Sequence, residues 1–459
     1  MQFTQSDNTR RATPRAGLAA LGMKLAQLDF FAPVREGVRI PQKTVRYAPT
    51  DKLYSVWVGS LAGGKGMVEV EQRVRADPAL QAAFRQDGCA EQSVIQDTLN
   101  ACTPATVEQM EAATDTIYRQ HGRGYQHDYA SQLQLLDADV SGTPCGRKAE
   151  FATKGYFAKQ RNRRGRQLGR VLATRYEEIV VDRVFEGTCQ LATALQPLIE
   201  AAERTLELDA AKRTRTRVRV DAGGGTLEGV NWLLARGYEV LAKDYSTARA
   251  SKLAQRVTKW VDDPQVPGRQ VGWVEVAAPE YVRLVRRIAV RSRKANGEWG
   301  VGVLIVTLKP KAVLTLTGQS RSRRKNDAAV LLAYVHLYDG RGGAVETSLK
   351  QDKQGLGITK RNKKRMAAQQ LLAQLNVLAH HALIWAREWL GLAQDPARRL
   401  GILRLCRDVF GIAGVLEFDR AGRVRRIRLN EADRMAHRYL AAFSNLLPGP
   451  PGSLILGQT

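Results

Sequence analysis

The order in which residues 131 to 245 switch between two hydrophobic periodicities narrows the fold more than any other feature of the chain. Leu133–Val140 (LQLLDADV) alternates apolar and polar residues in the strand period and stops at Ser141-Gly142-Thr143-Pro144. RQLGRVLATR (166 to 175) and EEIVVDRVF (177 to 185) follow, rich in β-branched or alternating apolar residues, and the short gap between them favours antiparallel pairing. The period then changes to 3.6: Leu191, Leu195, Leu198, Ala202 and Leu206 share one helical face between Gln190 and Leu208. A strand at Thr216–Asp221, a helix at Leu227–Arg236 and a strand at Tyr238–Ala242 complete the series. Strand, strand, strand, helix, strand, helix, strand predicts an α/β mixed sheet with flanking helices.

The flanks read differently. Residues 1–66 mix Arg, Pro and Gln without sustained period, including RIPQKTVRY at 39 to 47, and predict an extended N-terminal arm. From Met67 the spacing is helical, broken at Asp77-Pro78, Asp87-Gly88 and Thr103-Pro104. That predicts an N-terminal helical domain over 67–128, read either as a DNA-end-binding module or as a packing scaffold. Residues 129–265 then form the first part of a core. VGWVEVA, YVRLVRRIAV and WGVGVLIVTL make 266–326 a β-rich insertion, ending near the basic SRSRRK. Helical spacing resumes over 327–395 as a second part of the core, and 396–459 holds a short helix, a hairpin (VLEFDRAGRVRRIRL) and a Pro/Gly-rich tail.

Composition decides the class of partner. Seventy-one Lys and Arg against 45 Asp and Glu give a formal charge of +26 on a chain of 459 residues with 44% hydrophobic residues. A globular protein so basic is built for a polyanion, nucleic acid first. Five scattered cysteines with no CxxC spacing argue against structural zinc and a disulfide framework. The N-terminus lacks the apolar core of a secretory signal, and Leu371–Leu390 carries too many polar residues to span a membrane, so a cytoplasmic location is expected.

Chemistry concentrates in carboxylates. Asp137 and Asp139 lie two apart on the first core strand and share a face, while Asp221 ends a later strand just before Ala222-Gly223-Gly224-Gly225. Glu346 is the best third candidate, because Lys350 and Lys353 follow it at i+4 and i+7 on one helical face. With no Cys/His ligand set, such a trio suits Mg²⁺ or Mn²⁺, and two ions about 3.5–4 Å apart would activate the attacking oxygen of a phosphodiester displacement and stabilise the leaving one. The glycines at 223 to 225 lack the Lys-Ser/Thr of a phosphate loop, so they read as a turn and no nucleotide cofactor is expected.

Three stretches carry a family resemblance: LLDADVSGT at 135 to 143, VRVDAGGGT with GYEVLAKDYS at 218 to 246, and YDGRGGAVETSLKQDKQGLGITKR at 338 to 361. The chain resembles the DDE-type bacterial insertion-sequence transposases over roughly 131 to 390. That family often shows Tyr, two residues, Arg, three residues, Glu, six residues, Lys. Tyr338, Arg341, Glu346 and Lys353 reproduce it, except that four residues separate Arg341 from Glu346.

The resemblance implies a ribonuclease-H-like core with a β-strand insertion, a catalytic and metal-binding triad of Asp139 (or Asp137), Asp221 and Glu346, and about two Mg²⁺ or Mn²⁺ ions. It implies contacts from Tyr338, Arg341 and Lys353 to DNA near the scissile phosphate, and Trp273 or Trp299 stacking on a flipped base. The charges of Lys350, Lys360 and Arg361 place them on a DNA backbone as well. His380 and His381, on an apolar helix, read as packed core histidines. The expected activity is DNA transposition: binding of element ends, cleavage and strand transfer to target DNA by a nucleoid-associated homodimer on DNA. The alternatives are a structure-selective nuclease of the same fold and a DNA-binding relative that has lost catalysis.

Overall fold

The structure, a computed structural model, describes residues 9–43, 46–155, 157, 160, 162–393 and 400–447, and the backbone of Leu454–Gly457. The chain folds as two compact units, one made of residues 1–122, 145–152 and 350–459, the other of 123–144 and 153–349. The helical domain is therefore built from both ends of the chain and is not confined to an N-terminal span.

In the first unit, the predicted extended arm is largely helical. After strand β1 (Arg10–Thr13), helices span Ala16–Gln27, Ala32–Gly37 and Pro49–Leu61. The physical reason is apolar burial: Leu18, Leu21, Leu25, Phe30, Phe31 and Trp57 are each no more than 2% exposed. Phe30 stacks on Trp57 at 5.3 Å and meets Trp385 edge-on at 5.9 Å. Trp385 lies on the helix Met366–Trp389, which is apolar nearly all round and so needs neighbours on every side. It packs against Pro49–Leu61 and Pro104–His121, and belongs to the helical unit and not to a second part of the core. His380 and His381 are core residues, as expected: His380 Nδ1 lies 2.8 Å from the buried Asp352, and His381 stacks on Tyr118 and Trp385. The predicted hairpin is present as Gly414–Phe418 and Val424–Asn430, and its first strand pairs with β1. The Pro/Gly-rich tail lies largely outside the described residues.

The second unit carries one mixed sheet. β2 (Gln134–Pro144) pairs antiparallel with β4 (Arg164–Ala173), which pairs antiparallel with both the short β3 (Thr153–Lys154) and β5 (Glu178–Glu186). On its other side β2 runs parallel to β6 (Thr216–Val220), and β6 parallel to β7 (Glu239–Lys243). The crossovers run through helices Leu191–Leu206 and Leu227–Ala235, as parallel pairing requires. The β-rich block does not stand apart: β8 (Val261–Asp262), β9 (Arg269–Trp273), β10 (Arg286–Arg293) and β11 (Trp299–Val306) extend the same sheet, with β11 antiparallel to β7. The strands end at Val306, and the remainder of the block is the helix Pro310–Leu316 and a 3₁₀ turn at Arg321–Lys325. Among the described residues no helix is long and apolar enough to cross a membrane.

Candidate active site

Parallel pairing sets Asp137 opposite Arg219, and the two form a fully buried ion pair. Arg219 Nε and Nη2 each donate to one Asp137 oxygen at 2.6 Å, and the Thr174 hydroxyl donates to the same carboxylate at 2.7 Å. Such a bidentate pair with a third donor leaves the carboxylate little capacity for another ligand. Asp137 is thereby engaged within the protein by Arg219 and Thr174. The third Arg219 nitrogen, Nη1, donates to the carbonyl of Leu337, tying the helix Asp327–Asp339 to the sheet. Arg170, across β2 on β4, acts similarly: it grips Asp182 through Nε at 2.7 Å and Nη2 at 2.6 Å, while Nη1 donates to Ser348 Oγ at 2.7 Å. Two buried guanidiniums thus locate the elements that carry Tyr338, Arg341 and Glu346. Sequence reasoning missed both; the signal was an arginine inside an otherwise apolar strand stretch, VRV for Arg219 and LGRVLA for Arg170.

Asp139 and Glu346 meet on Arg341. Arg341 Nη2 lies 3.1 Å from Asp139 Oδ2 and donates to the carbonyl of Ala138 at 3.1 Å, while Nη1 donates to Glu346 Oε1 at 2.9 Å. The four residues between Arg341 and Glu346 explain themselves here. In an α-helix residues i and i+5 lie about 140° apart and face different ways, whereas i and i+4 share a face. Gly342–Glu346 is a π-helical turn, which runs i to i+5, and Thr347 Oγ1 donates to Gly342 O at 2.9 Å within it. The wide turn absorbs the additional residue and returns Glu346 to the face of Arg341.

Asp221 follows β6, half-buried, with the Gly224 amide donating to its Oδ1 at 3.3 Å. The glycine run is a packing device. A Cβ on Gly225 would fall 1.7 Å from the carbonyl of Lys243 at the end of β7, so only glycine permits that approach.

The electrostatics follow from burial. Desolvation pushes the Asp139 carboxyl up to about 6; Arg341 opposes the shift, and Asp221 and Glu346 add to it. Desolvation works against the Arg341 charge, yet Asp139, Asp221 and Asp137 together hold its guanidinium above its ordinary range. Burial raises the Tyr338 phenol, with Asp221 and Glu346 adding to the effect and Arg341 opposing it. These mutual influences put Asp139, Asp221, Glu346, Arg341 and Tyr338 in one neighbourhood. The donor set is hard oxygen, the chemistry of Mg²⁺ or Mn²⁺. Among the described residues, however, no three acidic, His or Cys side chains are grouped closely enough to hold a metal ion, and Arg341 stands between Asp139 and Glu346.

The remaining predicted residues separate. Lys350 and Lys360 are exposed and Lys353 is half-buried. Arg361, predicted to lie on DNA, is 3% exposed: it donates to Ser60 Oγ at 2.5 Å and to the carbonyl of Gly64, so it is a core residue and not a surface cation. Trp273 is partly buried, with Arg286 over its ring at 3.4 Å, Tyr334 edge-on, and its indole N–H donating to Asp327 at 2.8 Å. Trp299 is flanked by Arg291 at 4.5 Å and Arg293 at 4.4 Å.

No family model matches the chain, and no curated protein matches it. Among solved structures it is similar to a piggyBac transposase synaptic complex with hairpin DNA, at a TM-score of 0.35 and 9% identity over 85% of this chain and 84% of that one. A likeness so remote is no basis for a function, which has to be argued from the site.

Proposed function

We propose that the chain is a DNA transposase with a ribonuclease-H-like core, which binds element ends and catalyses metal-dependent phosphodiester cleavage and strand transfer. The observation that carries this reading is the convergence of Asp139 and Glu346 on Arg341, with Asp221 close enough to raise the Asp139 carboxyl. Three carboxylates in one neighbourhood of a strongly basic chain suit a reaction whose substrate is a phosphodiester. Asp139, Asp221 and Glu346 would hold Mg²⁺ or Mn²⁺, which when bound supplies Lewis-acid activation of the attacking and leaving oxygens. Arg341 holds Asp139 and Glu346 in register in the free protein, and its Nη groups would suit a substrate phosphate. Tyr338, Lys350, Lys353 and Lys360 contact the DNA backbone, and a homodimer brings two ends together.

A second reading, a DNA-binding relative without catalysis, is favoured by one observation: the salt bridges of Arg341 occupy two of the three carboxylates, and no metal-ready cluster is present among the described residues. Cleavage and strand transfer on labelled DNA carrying the element's flanking ends, in Mg²⁺, Mn²⁺ or EDTA, separates the two. The transposase reading expects metal-dependent cutting and joining by the wild type. It expects Asp139→Asn, Asp221→Ala and Glu346→Ala to bind DNA normally and lose at least about a hundredfold in rate. Binding without any cutting by the wild type would leave only the second reading.

A further inference from the structure

A second charged feature of the sheet-bearing unit is unrelated to the carboxylates. Where β2, β6 and β7 begin, a cavity of about 800 Å³ is lined by Arg175, Arg215, Arg217, Lys309, Lys311 and Arg321, against a single acid, Glu239. Asp221 lies four residues further along from Arg217, about 13 Å at 3.3 Å per residue, so the cavity lies toward the other end of the sheet from the carboxylates. Glu239 is shared with Arg283 at 3.0 Å, so the lining keeps a large excess of positive charge. Lys309 and Lys311 are exposed, and their side-chain ammonium groups have no hydrogen bond or ion pair among the described residues.

Arg217 is the telling residue. It is only 8% exposed, its Nη1 donates to the carbonyl of Thr214 at 2.8 Å, and its Nε has no hydrogen-bond partner among the described residues. Burial lowers its pKa, with Arg215 and Arg283 adding to the effect against Glu239. A buried guanidinium in a cavity that five further cations line marks a place for anionic groups supplied from outside. The cavity wall contains no aromatic side chain on which a base would stack. Its chemistry is that of phosphate oxygens spread along a backbone and not of a nucleotide.

We propose that this cavity is a second DNA-backbone site, which grips phosphodiesters of a segment distinct from the one at the carboxylates. The proposal rests on the reading of DNA as the partner. Full-length protein carrying Glu346→Gln, to prevent turnover, is the parent for the test. Its affinity for a 30-base-pair duplex is measured by fluorescence anisotropy across a salt series, with and without Lys309→Ala, Lys311→Ala and Arg321→Ala together. An equal-charge control carries Arg420→Ala, Arg425→Ala and Arg434→Ala. The triple cavity variant should show a slope of log K against log salt shallower by about 2 to 3, at about 0.9 per phosphate contact, with weaker binding throughout, and the control should not. An unchanged slope in the cavity variant, or an equal change in the control, overturns the site while leaving DNA as partner. A parent that binds no DNA overturns both. Titration with inorganic phosphate at fixed ionic strength tests the other source of the same chemistry: phosphate binding lost in the cavity variant, with the DNA slope unmoved, would make this a small-anion pocket and end the proposal.

Discussion

Three buried arginines of the sheet-bearing unit and two buried cations of the helical unit meet different kinds of partner. In the sheet-bearing unit Arg170, Arg219 and Arg341 each meet a carboxylate at 2.6 to 3.1 Å. In the helical unit the buried Arg361 and Lys363 are met by neutral oxygens of Ser60, Gly64, Asn376 and Gln96, and burial lowers Arg361 to about 10 and Lys363 to about 8. The ion pairs and further hydrogen bonds of these arginines tie four strands (β2, β4, β5 and β6) and the segments bearing Leu337, Arg341 and Ser348 into a frame around Asp139. These acceptors around Arg361 and Lys363 are neutral hydroxyl and carbonyl oxygens, and burial lowers both pKa values. Buried pairs in this molecule mark the place where position matters.

The largest effect expected from this contrast is at Asp137. Asp137→Ala strands the Arg219 charge and should cost about 3–5 kcal/mol in urea denaturation, whereas Asp137→Val combined with Arg219→Met should recover most of it. Equal losses from the single and the double variant would break the contrast. Next is Lys363. Its folded pKa lies below the unfolded value, so below pH 8 both states hold the proton and the burial penalty is present in full. Between about pH 8 and 10.5 the unfolded state binds more protons, and stability should rise with pH by at most about 3 kcal/mol relative to Lys363→Met, read as the difference between the two denaturation series. A difference that falls over that window would reverse the sign. Smallest is Arg361→Met, which leaves the Ser60 and Gly64 oxygens without their donor and should cost about 1–3 kcal/mol. The salt slope of DNA binding should stay as in the wild type, because the side chain never reaches solvent; a shallower slope would return Arg361 to the surface.

The sheet was legible because its evidence is local: alternation in LQLLDADV, β-branched runs at 166 to 185, and amphipathic spacing from Leu191 to Leu206. The carboxylates were legible as residue types near strand ends. What could not be read depends on partners far along the chain. The helices of residues 16 to 61 are held by the helix Met366–Trp389, some 330 positions later, and no periodicity announces that partner. Asp137 and Asp139 share a face, and only the register that sets Arg219 opposite Asp137 tells them apart. In TKRNKKR every cation looks like surface, yet positions 361 and 363 are buried while 360, 364 and 365 are exposed.

The π turn at Gly342–Glu346 gives this chain a residue of slack in its count. Gly343 projects toward open space, and a chain without it would keep the arginine and glutamate on one face through an ordinary α-helical turn. Length can therefore drift by one here while the chemistry stays in phase, so the interval between two letters is a poorer guide to such a site than the angle between two side chains.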